Sequence, residues 1–277
     1  MLSPRTTKLD QGMGSSCRSH TQQMKTVKRV TVQTIAEVIS ELDQVIAWAY
    51  EHKSPLGYFA TLYRKVTMKV ESGIHAGFFD DSLRMERLDV VFANRYLEAL
   101  SLYLQGKTPT RSWLVAFEAA QNPRLIILQH LFLGINAHIN LDLGIAAAKL
   151  VPLSEMPSFK NDFDKINLIL AEMEDEVQEM INSVSPRLAL LDYIGGRTDE
   201  RFADFSLNVA REAAWRAAMQ LALVTSDQLD EEISRLDELT AGLARLIVKP
   251  GHLAQLVIRI IHWRECKETR RIIQALE

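Results

Sequence analysis

Arg124 to Lys149 reads RLIILQHLFLGINAHINLDLGIAAAK, and its apolar residues run around every face of a helix instead of forming one stripe. A helix of that kind belongs at the centre of a bundle or in a membrane. Six polar residues, Gln129, His130, Asn136, His138, Asn140 and Asp142, interrupt it. An ionisable Asp in the middle of a lipid-exposed span is expensive, so the expectation is a buried central helix and no transmembrane segment. Burying polar groups without partners costs roughly 2–7 kcal/mol each. The six must therefore be hydrogen-bonded, ligated or lining a cavity, and function is expected at this helix.

Outward from that helix the apolar residues recur at helical spacing, with capping signals at the joints. The spacing predicts helices over 34–52, 56–72, 82 to just before Gly106, a short one from Thr110, 124–150, 159–184, 186–194, 199–224, 226–248 and 251–276. Thr34 with Glu37 suits a capping box, Asp80-Asp81-Ser82 and Thr110 suit N-caps, and Pro152 stops the central helix. No strand pattern is present. Gly and Pro number 12 and 8, about 7% of 277 residues, against roughly 12% in average proteins; that is too few turn-makers for a barrel or sandwich. Residues 1–23 are polar and lack the apolar run of a signal peptide, so they read as disordered. Residues 24–277 read as one all-α domain, a globular bundle of about nine or ten helices around a central buried one.

Two cysteines, Cys17 and Cys266, allow no disulfide framework, and a reducing, cytoplasmic setting follows. The net charge of -3 gives no basic field for nucleic acid, so no nucleic-acid partner is expected. The acidic runs 172–179 and 227–238 read as solvated helix faces. Walker A, G-x-G-x-x-G, G-x-S-x-G, H-E-x-x-H and C-x-x-C patterns are all missing, which removes the usual ATPase, dehydrogenase, esterase and zincin signatures.

Within the central helix, about 100° per residue places His138 and Asp142 on one stripe, one turn apart, and Asn136 and Asn140 on another roughly 160° away. His130 lies two turns from His138, about 12 Å along the axis, too far to share a metal ion with it. The usable unit is His138-x-x-x-Asp142. It admits a satisfied core histidine, a divalent-metal site completed by other helices, or a metal-free acid/base pair in a pocket for a small organic ligand. Asp89 falls on the inward face of its helix, where a salt bridge or a metal would satisfy it. Asn167 sits in an apolar stripe. Arg211 is placed to stack on Trp215, and also to neutralise Asp89 or Asp142 or to bind an anionic substrate. His130, Asn136, Asn140, Asn167 and Arg211 are thus candidate ligand-binding residues, and His138, Asp142 and Asp89 candidate metal ligands.

Four segments, RMERLDVVFANRYLEAL (84–100), LQHLFLGINAHINLDLGIAA (128–147), DFDKIN (162–167) and LLDYIGGR (190–197), together resemble a bacterial family catalogued as a domain of unknown function. That resemblance covers most of the chain after residue 24 and implies no activity. Leu133-Gly134-x-x-x-His138-x-x-x-Asp142 is also similar to a segment of the all-helical zinc-dependent phospholipase C and P1-nuclease group, where the matching His and Asp bind zinc. The departures are that GIAAAK stands where that group continues with Gln-Pro and a further ligand His, and that no H-x-x-x-E or N-terminal Trp ligand is found. What this implies is a reduced zinc site on His138, Asp142 and Asp89. The resulting expectation is a soluble helical protein acting as a metal-assisted hydrolase, or alternatively a non-catalytic domain binding a small ligand or a protein.

Overall fold

The central helix organises everything around it. In the computed structural model, which describes residues 31–186 and 207–277, it begins at Ile127 and runs to Leu150. It consists of α5 (Ile127–Ala137), a π-helical turn (His138–Leu143) and α6 (Gly144–Leu150). Before it come α1 (Ile35–His52), α2 (Leu56–His75), α3 (Ser82–Leu104) and α4 (Arg111–Ala119). After it come α7 (Met156–Glu172), α8 (Glu174–Val184), α9 (Leu207–Leu223), α10 (Leu229–Val248), α11 (His252–Arg264) and α12 (Thr269–Leu276). With α5 and α6 counted as one rod, the described residues form eleven helices and no strand, an all-α fold. The stretch 1–23, the helix expected near 186–194 and the Gly195-Gly196 break lie outside the described residues.

Two helices expected as single units are broken, and in both cases polar residues mark the break. The 159–184 span divides at Met173, where Glu174, Asp175 and Glu176 fill the first turn of α8, the place where acids complement the helix dipole. The 251–276 span divides at Glu265, whose backbone is extended (φ -71°, ψ 147°). Glu265 turns inward, and its carboxylate accepts the Ile127 N–H at 3.0 Å. A carboxylate from the far end of the chain thus caps the start of the central helix.

Caps elsewhere follow the same logic. Asp81 Oδ1 accepts the Arg84 N–H at 2.9 Å, as expected. Thr34 Oγ1 accepts the Glu37 N–H at 3.2 Å, but the Glu37 carboxylate takes the Gln33 N–H at 2.7 Å and not the Thr34 N–H of a full capping box. Thr110 does not cap α4 with its side chain. Asp237 of α10 does so instead, accepting Arg111 N–H at 2.7 Å and Ser112 N–H at 2.9 Å. Asp237 belongs to an acidic run expected to be solvated, yet it is buried.

The central helix is long and apolar enough to cross a membrane by length and composition, but 72% of its most apolar window is buried within the bundle. Two of its glycines permit that enclosure. A Cβ on Gly134 would lie 2.4 Å from Phe59 Cγ, and one on Gly144 would lie 3.0 Å from Ala214 O and Ala217 Cβ. Helix α2 packs onto the first half of the rod and α9 onto the second. Two apolar cores result. One joins α1, α2, α3, α4, α5 and α12 around Leu42, Tyr96, Trp113 and Ile273. The other joins α3, α6, α7 and α9 around Met85, Phe159, Phe163 and Ala214.

Candidate functional site

The site is built from the π turn outward. π-helical turns recur at functional sites, where the wider winding re-aims side chains, and this one carries His138 and Asp142. The regular 100° spacing therefore does not hold across 138–143, although the two residues still face each other. Asp142 is fully buried. Its Oδ1 accepts from Arg95 Nε at 2.7 Å, and its Oδ2 accepts from Trp113 Nε1 at 2.7 Å. His138 Nδ1 lies 3.5 Å from the same Oδ2. That is too long for a good hydrogen bond, but the carboxylate favours the tautomer with N–H on Nδ1 and leaves Nε2 as an acceptor.

Aromatic rings enclose the imidazole. It stacks on Phe92 with centroids 3.5 Å apart, and Tyr63 meets it edge-on at 4.4 Å. Burial lowers the His138 pKa below its usual value, against the opposing pull of Asp142, so the ring is neutral at pH 7. Among the described residues neither of its ring nitrogens has a hydrogen-bond partner, and the same holds for Tyr63 Oη and Asp89 Oδ2. Burial pushes the Tyr63 hydroxyl well above its ordinary value. Asp89 is pushed up to about 7 by burial first and then by the charges of Glu71 and Glu86.

His138, Tyr63 and Asp89 all line one cavity of about 940 Å³. Its walls come from both cores and are mostly apolar, including Leu62, Val66, Met85, Leu88, Ile139 and Leu170. Glu174, Gln178, Asn182 and Asn208 line its solvent-exposed side. The candidate residues divide accordingly. Asp89, His138, Asn167 and Arg211 line the cavity, whereas Asp142 lies behind His138 and braces it. His130 borders a separate space of about 20 Å³, packs edge-on against Tyr58 at 5.8 Å and is pushed down to about 4 by burial. Asn136 donates to Thr240 O at 3.0 Å and Asn140 donates to Asn136 Oδ1 at 2.9 Å, so these amides tie the rod to α10 and to itself.

Asp89 forms no ion pair among the described residues; a desolvated carboxyl instead faces the cavity. Arg211 pairs with neither Asp89 nor Asp142, because Arg95 already neutralises Asp142. Its guanidinium lies over Phe163 at 4.5 Å and not over Trp215, which takes Lys160 at 5.3 Å. Sequence reasoning missed Arg95, Trp113, Tyr63 and Phe92 as parts of the site. Tyr63 had a signal, since Phe59, Tyr63, Val66 and Val70 form an inward stripe on α2 that ends in one hydroxyl. Arg95 flanks Tyr96 and had none.

Residues 35–250 match the family of unknown function (DUF5995). The chain belongs to that family. Neither a curated protein nor a solved structure matches it. The DUF5995 span contains the π turn and every cavity-lining residue, while α11 and α12 lie beyond it.

A zinc ion does not fit the His138–Asp142 pair as it stands in this DUF5995 chain. Both Asp142 oxygens are already held by N–H donors, and one of those donors is a guanidinium whose charge would oppose a cation. Among the described residues, no three His, Cys, Asp or Glu side chains gather where they could hold a metal ion. Asp142 is suited to bracing His138 and to neutralising Arg95.

Proposed function

We propose that this DUF5995 protein binds a small, largely apolar organic molecule in the cavity between its two cores, with a polar group of the ligand set against Tyr63, Asp89 and His138. The observation that carries this reading is the meeting of three buried, unpartnered polar side chains in one apolar cavity. Each unpartnered group costs roughly 1–3 kcal/mol in the empty protein. A ligand that bonds to them recovers that cost on binding. The cavity volume, about 940 Å³, falls in the range of about 300–1,000 Å³ typical of small-molecule sites. The braced imidazole and the neighbouring acid also supply an acceptor and, below about pH 7, a donor, a pairing that fixes the orientation of a hydroxyl or carbonyl group.

Titration with the neutral apolar dye Nile red tests the proposal. The expected result is saturable one-to-one binding, weakened in Leu170→Trp and Val66→Trp, whose larger side chains partly fill the cavity. Absence of saturable binding, or binding unchanged in both filled variants that retain wild-type helicity, would overturn it.

A further inference from the structure

Among the described residues, the cavity wall holds one buried permanent charge without an ionic partner, and it is a cation; Glu174, on the solvent-exposed side, is a further charged side chain of the lining. Arg211 is buried, only 4% exposed, yet it forms no salt bridge among the described residues. Its nearest acids, Asp164 and Glu212, sit at the surface and are both bound to Lys160, at 2.6 and 3.0 Å. Asp89, the buried acid of the cavity wall, can shed its charge by taking a proton. Arginine cannot. The buried group of the wall that keeps its charge at every physiological pH is therefore the cation.

Arg211 is also held in a fixed pose. The side edge of its guanidinium donates through Nε to Asn167 Oδ1 and through Nη2 to Phe163 O, and its face lies on the Phe163 ring. Nη1 makes no bond among the described residues, so the end-on edge, Nη1 with the second Nη2 proton, keeps its two parallel donors. Two parallel donors of this kind can grip a carboxylate with two hydrogen bonds. Because Asn167 turns its oxygen to Arg211, its NH2 group faces away, without a partner among the described residues, and Asn167 lines the same cavity. A single guanidinium with one amide suits a monoanion. A phosphate dianion would need more donors.

We infer that the ligand of this cavity is an amphipathic carboxylate, its acid group on the end-on edge of Arg211 beside Asn167, its apolar body along the Leu170–Ile139 wall, and a second, neutral polar group against Tyr63, Asp89 and His138. This inference rests on the ligand-binding reading above and names the ligand class. Its test is displacement of Nile red by dodecanoate, dodecanol and methyl dodecanoate, each below its aggregation concentration. The expected result is dodecanoate binding about ten-fold or more tighter than either neutral analogue, as a charge-assisted bidentate contact requires. In Arg211→Gln that advantage disappears while dodecanol affinity is unchanged, and in Arg211→Lys part of the advantage returns. Equal affinity of wild type for all three compounds overturns the carboxylate inference and leaves the cavity reading standing; failure of Nile red itself to bind overturns the cavity reading. If Arg211→Gln does not fold, the three-ligand comparison on wild type and Arg211→Lys still decides.

Discussion

Asp142 and Asp89 are both buried aspartates whose charges act on Tyr63, and they are treated in opposite ways. Asp142 receives an arginine and an indole N–H on its two oxygens, while Asp89 leaves Oδ2 without any donor. Three more carboxylates are buried among the described residues, and all are used. Asp162 accepts the Asp80 and Asp81 N–H groups at 2.6 and 2.9 Å, Asp237 caps α4, and Glu265 caps α5. The fold clearly can supply donors to buried acids. The exception is the acid that lines a cavity, which is where a donor can arrive from a ligand. Satisfied acids in this protein join helices together, and the unsatisfied one opens onto empty space.

The contrast makes its largest demand on Asp142. Asp142→Ala strands the Arg95 guanidinium and the Trp113 N–H, and removing one partner of a buried charge pair costs about 3–5 kcal/mol. Urea unfolding monitored by circular dichroism should show that loss. A loss below about 1 kcal/mol would mean that the network contributes little and would remove the bracing role assigned to it.

Asp89→Asn should act in the opposite direction. With the acid shifted from 3.8 to about 7, both folded and unfolded states are protonated below pH 4 and the residue costs nothing. As pH rises the unfolded chain ionises first, so stability falls until about pH 7. The total is on the order of 4 kcal/mol by linkage. His130 and His138, lowered by burial, have the reverse sign: they contribute stability at neutral pH that is lost as pH falls below the unfolded histidine value. The difference between Asp89→Asn and wild type isolates the acid. The variant should match wild type near pH 4 and exceed it in stability at pH 8, and equal stabilities at both pH values would show that Asp89 is solvated or partnered in solution.

How much of this could be read from the sequence depended on whether the signal was local. The all-round apolarity of 124–150 marked the central helix, and the polar residues inside it located the site. Asp89, His138 and Asn167, singled out for polarity on apolar faces, do line one cavity, and so does Arg211, singled out for its spacing to Trp215. Periodicity could not show that Arg95 and Trp113 reach Asp142, because those contacts join residues 47 and 29 positions apart. Nor could it show the π turn, since a 3.6-residue pattern and a wider turn both put His138 against Asp142. Asp237 is the clearest case. Within its acidic run nothing distinguishes it from solvated neighbours, and only the approach of α4, 126 residues away at Arg111, makes it a cap.

That cap yields a smaller expected effect. Asp237→Asn keeps one acceptor oxygen of the two and loses the charge that complements the start of α4. The cost should be about 1–2 kcal/mol, read by urea unfolding. A loss as large as that of Asp142→Ala would place Asp237 among the network-forming acids and not the caps.

The smallest effect is expected at Thr110, the residue that local sequence nominates as the cap of α4. Its hydroxyl is buried without a partner, because Asp237 has taken the two N–H groups a Thr side chain would otherwise serve. Thr110→Val removes a hydroxyl that bonds to nothing and keeps the β-branched shape, so the change in stability should stay within about 0.5 kcal/mol. Threonine caps that do bond lose about 1 kcal/mol on truncation, and Thr34→Val, where Oγ1 accepts the Glu37 N–H, should show that loss under the same conditions. If the two threonines prove equally costly, Thr110 shares the capping of α4 in solution; if only Thr34 is costly, capping there has passed to an acid on another helix.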